Sequence, residues 1–233
     1  MTLVSTEPKS IKLWTTDINK VYLGTTKVRP INNTYLLHMP LENSLVDNSP
    51  YNRTATSTAT PTYSTIWWVS AIKSQGTSLR VDVPMTNFTS SAYTQSIWYY
   101  ASTSVSDFKC LWHNSVGSDR VDITFITDSS NGNKIGNYYV SDTFTSTTYN
   151  TGSWNMLTLV RNGNSQIIYH NGSQISSVTK TNQNYTYGQT SIMRIDWGQQ
   201  RPWYLSDFLI DSVAWSAADV LAYYNSTKSK YWR

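Results

Sequence analysis

The chain has 233 residues, of which 10 are Trp and 17 are Tyr, while charged residues make up only 14%. Ser, Thr and Asn dominate its polar positions, which suits turns and solvent-facing strand positions, disfavours a helical protein, and fits one all-β domain with a short extension. The formal net charge of +4 is spread along the sequence without a basic block, and Cys110 is the single cysteine, so the clustered cations of a nucleic-acid binder are missing and no intrachain disulfide can form.

Residues 1–30 read as a β arm and residues 31–233 as the main body. Ile11 to Ile18 aligns with Val21 to Val28 at an offset of ten residues, with Ile11/Val21, Leu13/Leu23, Ile18/Val28 and both threonine pairs matching. Alternation within each copy predicts two short strands joined by Asn19-Lys20, with Arg29-Pro30 ending the second. A unit this small cannot bury enough apolar surface to stand alone, so it must pack on the body, a sister chain or a larger assembly. The stretch Met1 to Pro8 lacks the basic, apolar and small-residue order of a secretory signal, and no apolar run approaches the about 20 residues that span a bilayer.

Ile18, Val21, Tyr22, Leu23, Gly24, Thr26, Val28 and Pro30 form a short pattern. It resembles the amino-terminal segment of many tailed-bacteriophage virion proteins, where it precedes a lectin-like module. The resemblance implies a virion component assembled in the host cytoplasm, in keeping with the lack of disulfides. It makes Ile11, Leu13, Trp14, Val21, Tyr22 and Leu23 the docking residues.

From Ile31 strand follows strand. Thr54 to Thr62 reads as an exposed low-complexity loop. Tyr63 to Ile72 reads as one strand through Ile66, Trp67, Trp68 and Val69, so that the two tryptophans face opposite sides. Leu79 to Val83 alternates, and Ile97 to Ala101, Phe108 to Trp112, Arg120 to Ile126 and Ile135 to Val140 follow at the short spacing of a sandwich. The strongest local signal runs from Gly152 to Ser177. Trp154, Leu157, Leu159 and Val160 supply an apolar strand, Asn162-Gly163-Asn164 interrupts it, and Asn171-Gly172 ends the next; Asn-Gly supplies the positive φ angles of a tight hairpin. Near the carboxyl end Ser216 reads as a helix N-cap, with Asp219 completing a capping box and Val220, Leu221 and Tyr224 forming an apolar face.

Trp154, Leu157, Leu159, Val160, Arg161, Gly163, Tyr169, Asn171 and Gly172 form a pattern that continues at Asp207, Phe208, Ile210, Ala214, Ser216, Asp219, Val220, Tyr224 and Asn225. It resembles the laminin-G-like, concanavalin A-like lectin/glucanase family, and Leu36 to Ser49 resembles that family's first strand. The resemblance covers roughly residues 35 to 228. It implies an antiparallel jelly-roll sandwich with one short carboxyl-terminal helix, and it places Trp154 and Trp215 in the core. Its motifs are structural, so they speak for fold and only weakly for function.

Glycoside hydrolases of that family use closely spaced carboxylates, typically Glu-x-Asp-x-x-Glu on one strand. Here the glutamates are Glu7 and Glu42, and neither has such a partner. Asp119/Asp122 and Asp207/Asp211 are near pairs that read as turn-bonded or surface residues; the second pair sits two pleats apart and faces one way. His38, His113 and His170 fall on separate strands without metal-ligand spacing, and His170, before a turn, reads as partly exposed. Cys110 reads as a small buried hydrophobe. The expectation is no enzyme, no catalytic residue and no resident cofactor or metal. Calcium at Asp128 to Asn133 or at Asp47-Asn48-Ser49 stays open, since both segments serve equally well as Asx-turns.

Aromatics are the better lead. Trp197, Gln199, Arg201, Trp203 and Tyr204 combine stacking faces, amides and a cation around turn formers, which suits a carbohydrate platform, a protein contact or a plug over the sandwich. The preferred interpretation is a non-enzymatic virion component (capsid decoration, head fibre or tail-associated) displaying a lectin-like domain. Its partners would be other virion proteins and copies of itself, without nucleic acid or membrane insertion. The second is a receptor module for host surface glycan acting through the Trp197 to Tyr204 loop, and the third is a polysaccharide-degrading enzyme.

Overall fold

Runs of β-branched and aromatic residues broken by Asn, Gly and Ser fold into antiparallel ladders, and every strand pairing described is antiparallel. The structure, a computed structural model, describes residues 21–23, 26–28, 35–74, 79–102, 109–126, 132–139, 141–193 and 203–232. The chain divides into two compact units, residues 1–33 and 34–233.

In the first unit, β1 (Val21–Leu23) pairs with β2 (Thr26–Val28), Val21 opposite Val28 and Leu23 opposite Thr26. The second copy of the repeat is therefore itself a strand pair, not the single strand that alternation predicts. Of the docking residues read from sequence, Val21, Tyr22 and Leu23 make up β1, while Ile11, Leu13 and Trp14 lie outside the described residues.

The second unit runs β3 (Tyr35–Met39), β4 (Thr56–Ser57), β5 (Thr62–Ile66), β6 (Val69–Lys73), β7 (Val81–Thr89), β8 (Ala92–Ala101), β9 (Lys109–Val116), β10 (Asp119–Ile126), β11 (Lys134–Tyr139), β12 (Ser141–Thr148), β13 (Trp154–Asn162), β14 (Ser165–His170), β15 (Ser173–Thr179), β16 (Thr186–Ile192), β17 (Trp203–Asp211) and α1 (Ala217–Tyr231). One sheet has the order β12-β11-β10-β9-β16-β7-β4; the other has the order β15-β14-β13-β8-β17-β6-β5, with β3 also on β17. The two sheets stack as a jelly-roll sandwich, the architecture the sequence predicts, and α1 lies on the outer face of the second sheet.

Alternation sorts each strand between these two interfaces. On β8, Tyr93, Ile97 and Tyr99 point between the sheets, while Trp98 points outward under α1. On β13, Leu157 and Leu159 fill the inter-sheet core, and Trp154, Met156 and Val160 pack beneath the helix. Hence β13 is buried on both faces, at every position but Asn162.

The turns explain the register. Asn171 and Gly172 take φ of 50° and 79°, the two left-handed positions of a type I′ hairpin, and Gly163 takes 56°. Gly172 does a second job: a Cβ there would lie 3.1 Å from Tyr224 and 3.2 Å from Leu221 of α1, so the turn is also the seat of the helix. Helix α1 starts as read, with Asp219 N–H donating to Ser216 Oγ at 3.2 Å and Ser216 N–H donating to Asp219 Oδ2 at 3.0 Å. Its buried residues are Val220 and Tyr231; Leu221, expected on the apolar face, is exposed. Tyr231 lies flat on Trp98, with centroids 4.0 Å apart and planes 12° from parallel.

Two local expectations are corrected. The 54–62 loop contains an edge strand, β4, whose Thr56 and Ser57 pair with Asp82 and Val81. Tyr63 to Ile72 is not one strand: it is the hairpin β5–β6, turned at Trp67 and Trp68.

Candidate functional site

Trp67 and Trp68 form the two-residue connection between Ile66 and Val69, which pair directly. A turn this tight favours Gly, Asn or Asp, because a left-handed backbone crowds a large Cβ substituent. Trp67 nevertheless takes φ of 59°. A bulky residue held there is strained, and strain of this kind concentrates at sites where the side chain has a use. Both rings reach solvent at the hairpin tip, 51% and 40% exposed, with centroids 5.6 Å apart and planes tilted by 33°. They share one tip instead of facing opposite sides because a turn, unlike a strand, does not alternate.

Each ring is braced. Trp68 Nε1 donates to the carbonyl of Lys230, one of the carbonyls a helix end leaves without an intrahelical donor. Lys230 in turn pairs through Nζ with Glu42. Trp67 stands edge-on to Tyr100, at 5.9 Å and 81°. Tyr100 on β8 is opposite Tyr204 on β17, which is opposite Lys73 on β6, which is opposite Thr62 on β5. Residues directly opposite across a sheet share a face, so Thr62, Lys73, Tyr204 and Tyr100 make one row on the outer face beside the tip. The row continues into Trp154, where Tyr231 packs over it at 5.0 Å. Tyr100 and Tyr204 remain half-buried, with rings 6.0 Å apart.

The loop read from sequence is only partly this site. Tyr204 lies in the row. Trp203 does not: it is 0% exposed in the inter-sheet core, and its backbone N–H donates to Ser74 Oγ at 3.2 Å. Neighbouring strand residues take opposite faces, so one of the two had to point inward. Trp197, Gln199 and Arg201 lie outside the described residues. Trp154 and Trp215 are buried, as the resemblance implies.

The carboxylates are committed elsewhere. Asp207 and Asp211 do share a face, but they are buried beneath α1, not at the surface. A bulge between Ser206 and Leu209 places Asp207 at φ of 55°. There its Oδ1 lies 2.8 Å from His38 Nε2 and its Oδ2 accepts from Tyr223 Oη at 2.8 Å. Burial alone would raise the Asp207 pKa, but the hydrogen bond and charge of His38, helped by Lys230 and Tyr223, hold it below the ordinary carboxylate value. Asp211 accepts from Trp215 Nε1 at 2.5 Å. Asp119 is exposed at the Gly117–Ser118 turn, whereas Asp122 is fully buried between the sheets. Asp122 accepts from Tyr93 Oη, from Asn137 Nδ2 at 2.9 Å and from Tyr187 Oη at 3.4 Å.

Asp47 is likewise spent. Its Oδ1 accepts from the N–H groups of His38 at 3.0 Å and Ser49 at 2.9 Å, and its Oδ2 accepts from Ser49 Oγ and Arg53 N–H at 2.9 Å each. These are the bonds of the Asx-turn alternative, and the Arg53 guanidinium lies 3.8 Å from Oδ2 through Nη1. Asp128 to Asn131 lie outside the described residues, and no group of three or more His, Cys, Asp or Glu that could hold a metal occurs among those described. His170 is buried, not partly exposed, with Nε2 3.1 Å from Asn155 Oδ1; Cys110 is half-buried, less enclosed than expected. The row beside the tip therefore presents stacking surfaces and the Lys73 cation, while Asp47, Asp122, Asp207 and Asp211 are buried.

A family model described as the concanavalin A-like lectin/glucanases superfamily matches residues 75–220. No curated protein matches. Among solved structures, the chain is similar to the botulinum neurotoxin serotype D binding domain, with 18% identity, a TM-score of 0.64, and coverage of 83% of this chain and 52% of that one. It is also similar to botulinum neurotoxin type C, whose cell entry is described as dependent on interaction with two ganglioside molecules, with 17% identity, a TM-score of 0.64, and coverage of 83% and 51%. A third is the binding domain of botulinum neurotoxin DC in complex with rat synaptotagmin II, with 15% identity, a TM-score of 0.64, and coverage of 83% and 51%. The chain thus spans about half the length of these neighbours.

Proposed function

Because the chain belongs to the concanavalin A-like lectin/glucanases superfamily, we propose that it is a non-enzymatic saccharide-binding module displayed on a bacteriophage particle. The sugar would rest on Trp67, Tyr100 and Tyr204, with Trp68 as a wall. The observation that carries this is the pair of solvent-facing tryptophans at one hairpin tip, with Trp67 held at a left-handed φ that disfavours a bulky residue. Sugar rings lie flat on such faces, and the polar groups around them orient the hydroxyls. Neighbours described with ganglioside molecules and in complex with rat synaptotagmin II fit a binding role. The burial of Asp122, Asp207 and Asp211 supports a role without hydrolysis, because paired carboxylates must reach the glycosidic bond.

The virion part rests on the resemblance at Ile18 to Pro30 and on the smallness of the β1–β2 pair, which needs a host surface. Residues 1–30 would dock onto other virion proteins and onto copies of the chain, leaving residues 31–233 outward. Two variants test both parts. Trp67→Ala should lower glycan-array signal at least about tenfold with thermal stability nearly unchanged, since the ring is exposed, whereas buried Trp203→Ala should cost about 3–5 kcal/mol. Deleting residues 1–30 should leave binding intact and exclude the protein from particles. A truncated protein that still joins particles ends the docking proposal; a wild type without any array signal ends the saccharide proposal.

A further inference from the structure

Lys73 stands at the end of the aromatic row, directly opposite Tyr204 on one side and Thr62 on the other. Among the described residues it makes no ion pair and no hydrogen bond through its ammonium group. Two lysines of α1 are engaged: Lys230 is paired with Glu42, and Lys228 lies over the Tyr224 ring. No carboxylate occupies the row itself, which reads Thr62, Lys73, Tyr204, Tyr100 and Trp154. The row therefore presents an unneutralised cation beside stacking faces, on a chain of net charge +4 whose field favours anions.

We propose that the platform selects acidic saccharides, with Lys73 pairing with a ring carboxylate while an adjacent ring stacks on Tyr204 and Tyr100. This rests on the saccharide-binding proposal and names its substrate class. Lys73 and Tyr100 are two strand spacings apart, about 10 Å, so the two contacts fall on different rings of one oligosaccharide. Lysine suits the role, because its ammonium is a flexible point charge that finds a carboxylate without fixed bidentate geometry. The charge on Lys73 supplies selectivity, and the rings supply the contact area common to all ligands.

The test compares matched pairs on one glycan array: sialylated glycans against their asialo forms, and oligouronides against their carboxyl-reduced forms. Full-length wild type should prefer the acidic member by about fivefold or more. That preference should shrink as salt rises. Lys73→Gln should abolish the preference by lowering acidic members to the level of their neutral counterparts, and Trp67→Ala should weaken both. Equal binding of acidic and neutral members by wild type, or a preference that survives Lys73→Gln, overturns the acidic selectivity and leaves the platform standing. No binding to any array member overturns both. So does Trp67-dependent binding to phosphatidylserine/phosphatidylcholine vesicles in the absence of array signal, since the tryptophans would then serve a lipid surface.

Discussion

His170 closes β14 with its imidazole enclosed, and burial pushes its pKa down from 6.5 to about 4. The unfolded chain therefore takes up a proton in a range where the native state resists it, so stability is fully present above the unfolded value and falls as pH drops from 6.5 toward 4. Integrated to about pH 5, the loss is about 2 kcal/mol. Urea midpoints at about pH 7 and about pH 5 should separate by that amount, and His170→Gln should remove most of the difference. Asp207, with its lowered pKa, acts in a different window: its contribution is present above the unfolded carboxylate value and is lost at lower pH. Residue chemistry was legible where it is local. Asn171-Gly172 and the Ser216/Asp219 box could be read directly because the φ angles and cap bonds involve residues within one turn. The enclosure of His170 and Asp122 could not, since the atoms that desolvate them come from distant strands.

Among the elements, α1 depends most on a local device and on a remote one. Its start is the capping box, so Ser216→Ala should cost about 1 kcal/mol in chemical denaturation. Ser226→Ala, in the exposed body of the helix, should change little; equal losses for the two would show that the box contributes nothing. Its body is held by remote contacts: Tyr231 on Trp98, and Tyr223 on Asp207. That dependence explains why the helix runs to Tyr231 and buries Val220 and Tyr231 in place of Leu221. The hairpins divide the same way. β13–β14–β15 carries Gly and Asn at its turns and was readable, whereas β5–β6 turns on two tryptophans and reads as continuous strand. A turn built from the wrong residue types leaves no local signal, and its geometry is imposed by the flanking pairs Ile66–Val69 and Thr65–Ser70.

Across the whole of the second unit, a polar layer interrupts the inter-sheet core around Asp122. Arg161 is fully buried there with its guanidinium 3.6 Å over the Tyr139 ring and Nη2 donating to Gln166 Oε1 at 3.0 Å. Gln166 donates on to Asn137 at 2.5 Å, and Asn137 to Asp122. Removing the shared acceptor leaves the hydroxyls of Tyr93 and Tyr187 and the amide of Asn137 without it, so Asp122→Ala should cost about 3–5 kcal/mol, a large part of a domain's net stability. Asp122→Asn, which keeps an acceptor, should cost less; equilibrium unfolding of both variants checks the order. By itself the sequence determined the all-β class, the central hairpins, the helix start and the superfamily, because period-two alternation, Asn-Gly turns and capping residues act over a few neighbouring positions. Only the tertiary structure decided that Trp67 and Trp68 share an exposed tip, that Trp203 faces inward, and that Lys73 joins Tyr204 and Tyr100 in one row. Strand order and register assemble those neighbours from segments far apart in the chain, and no local pattern encodes which strands will lie side by side.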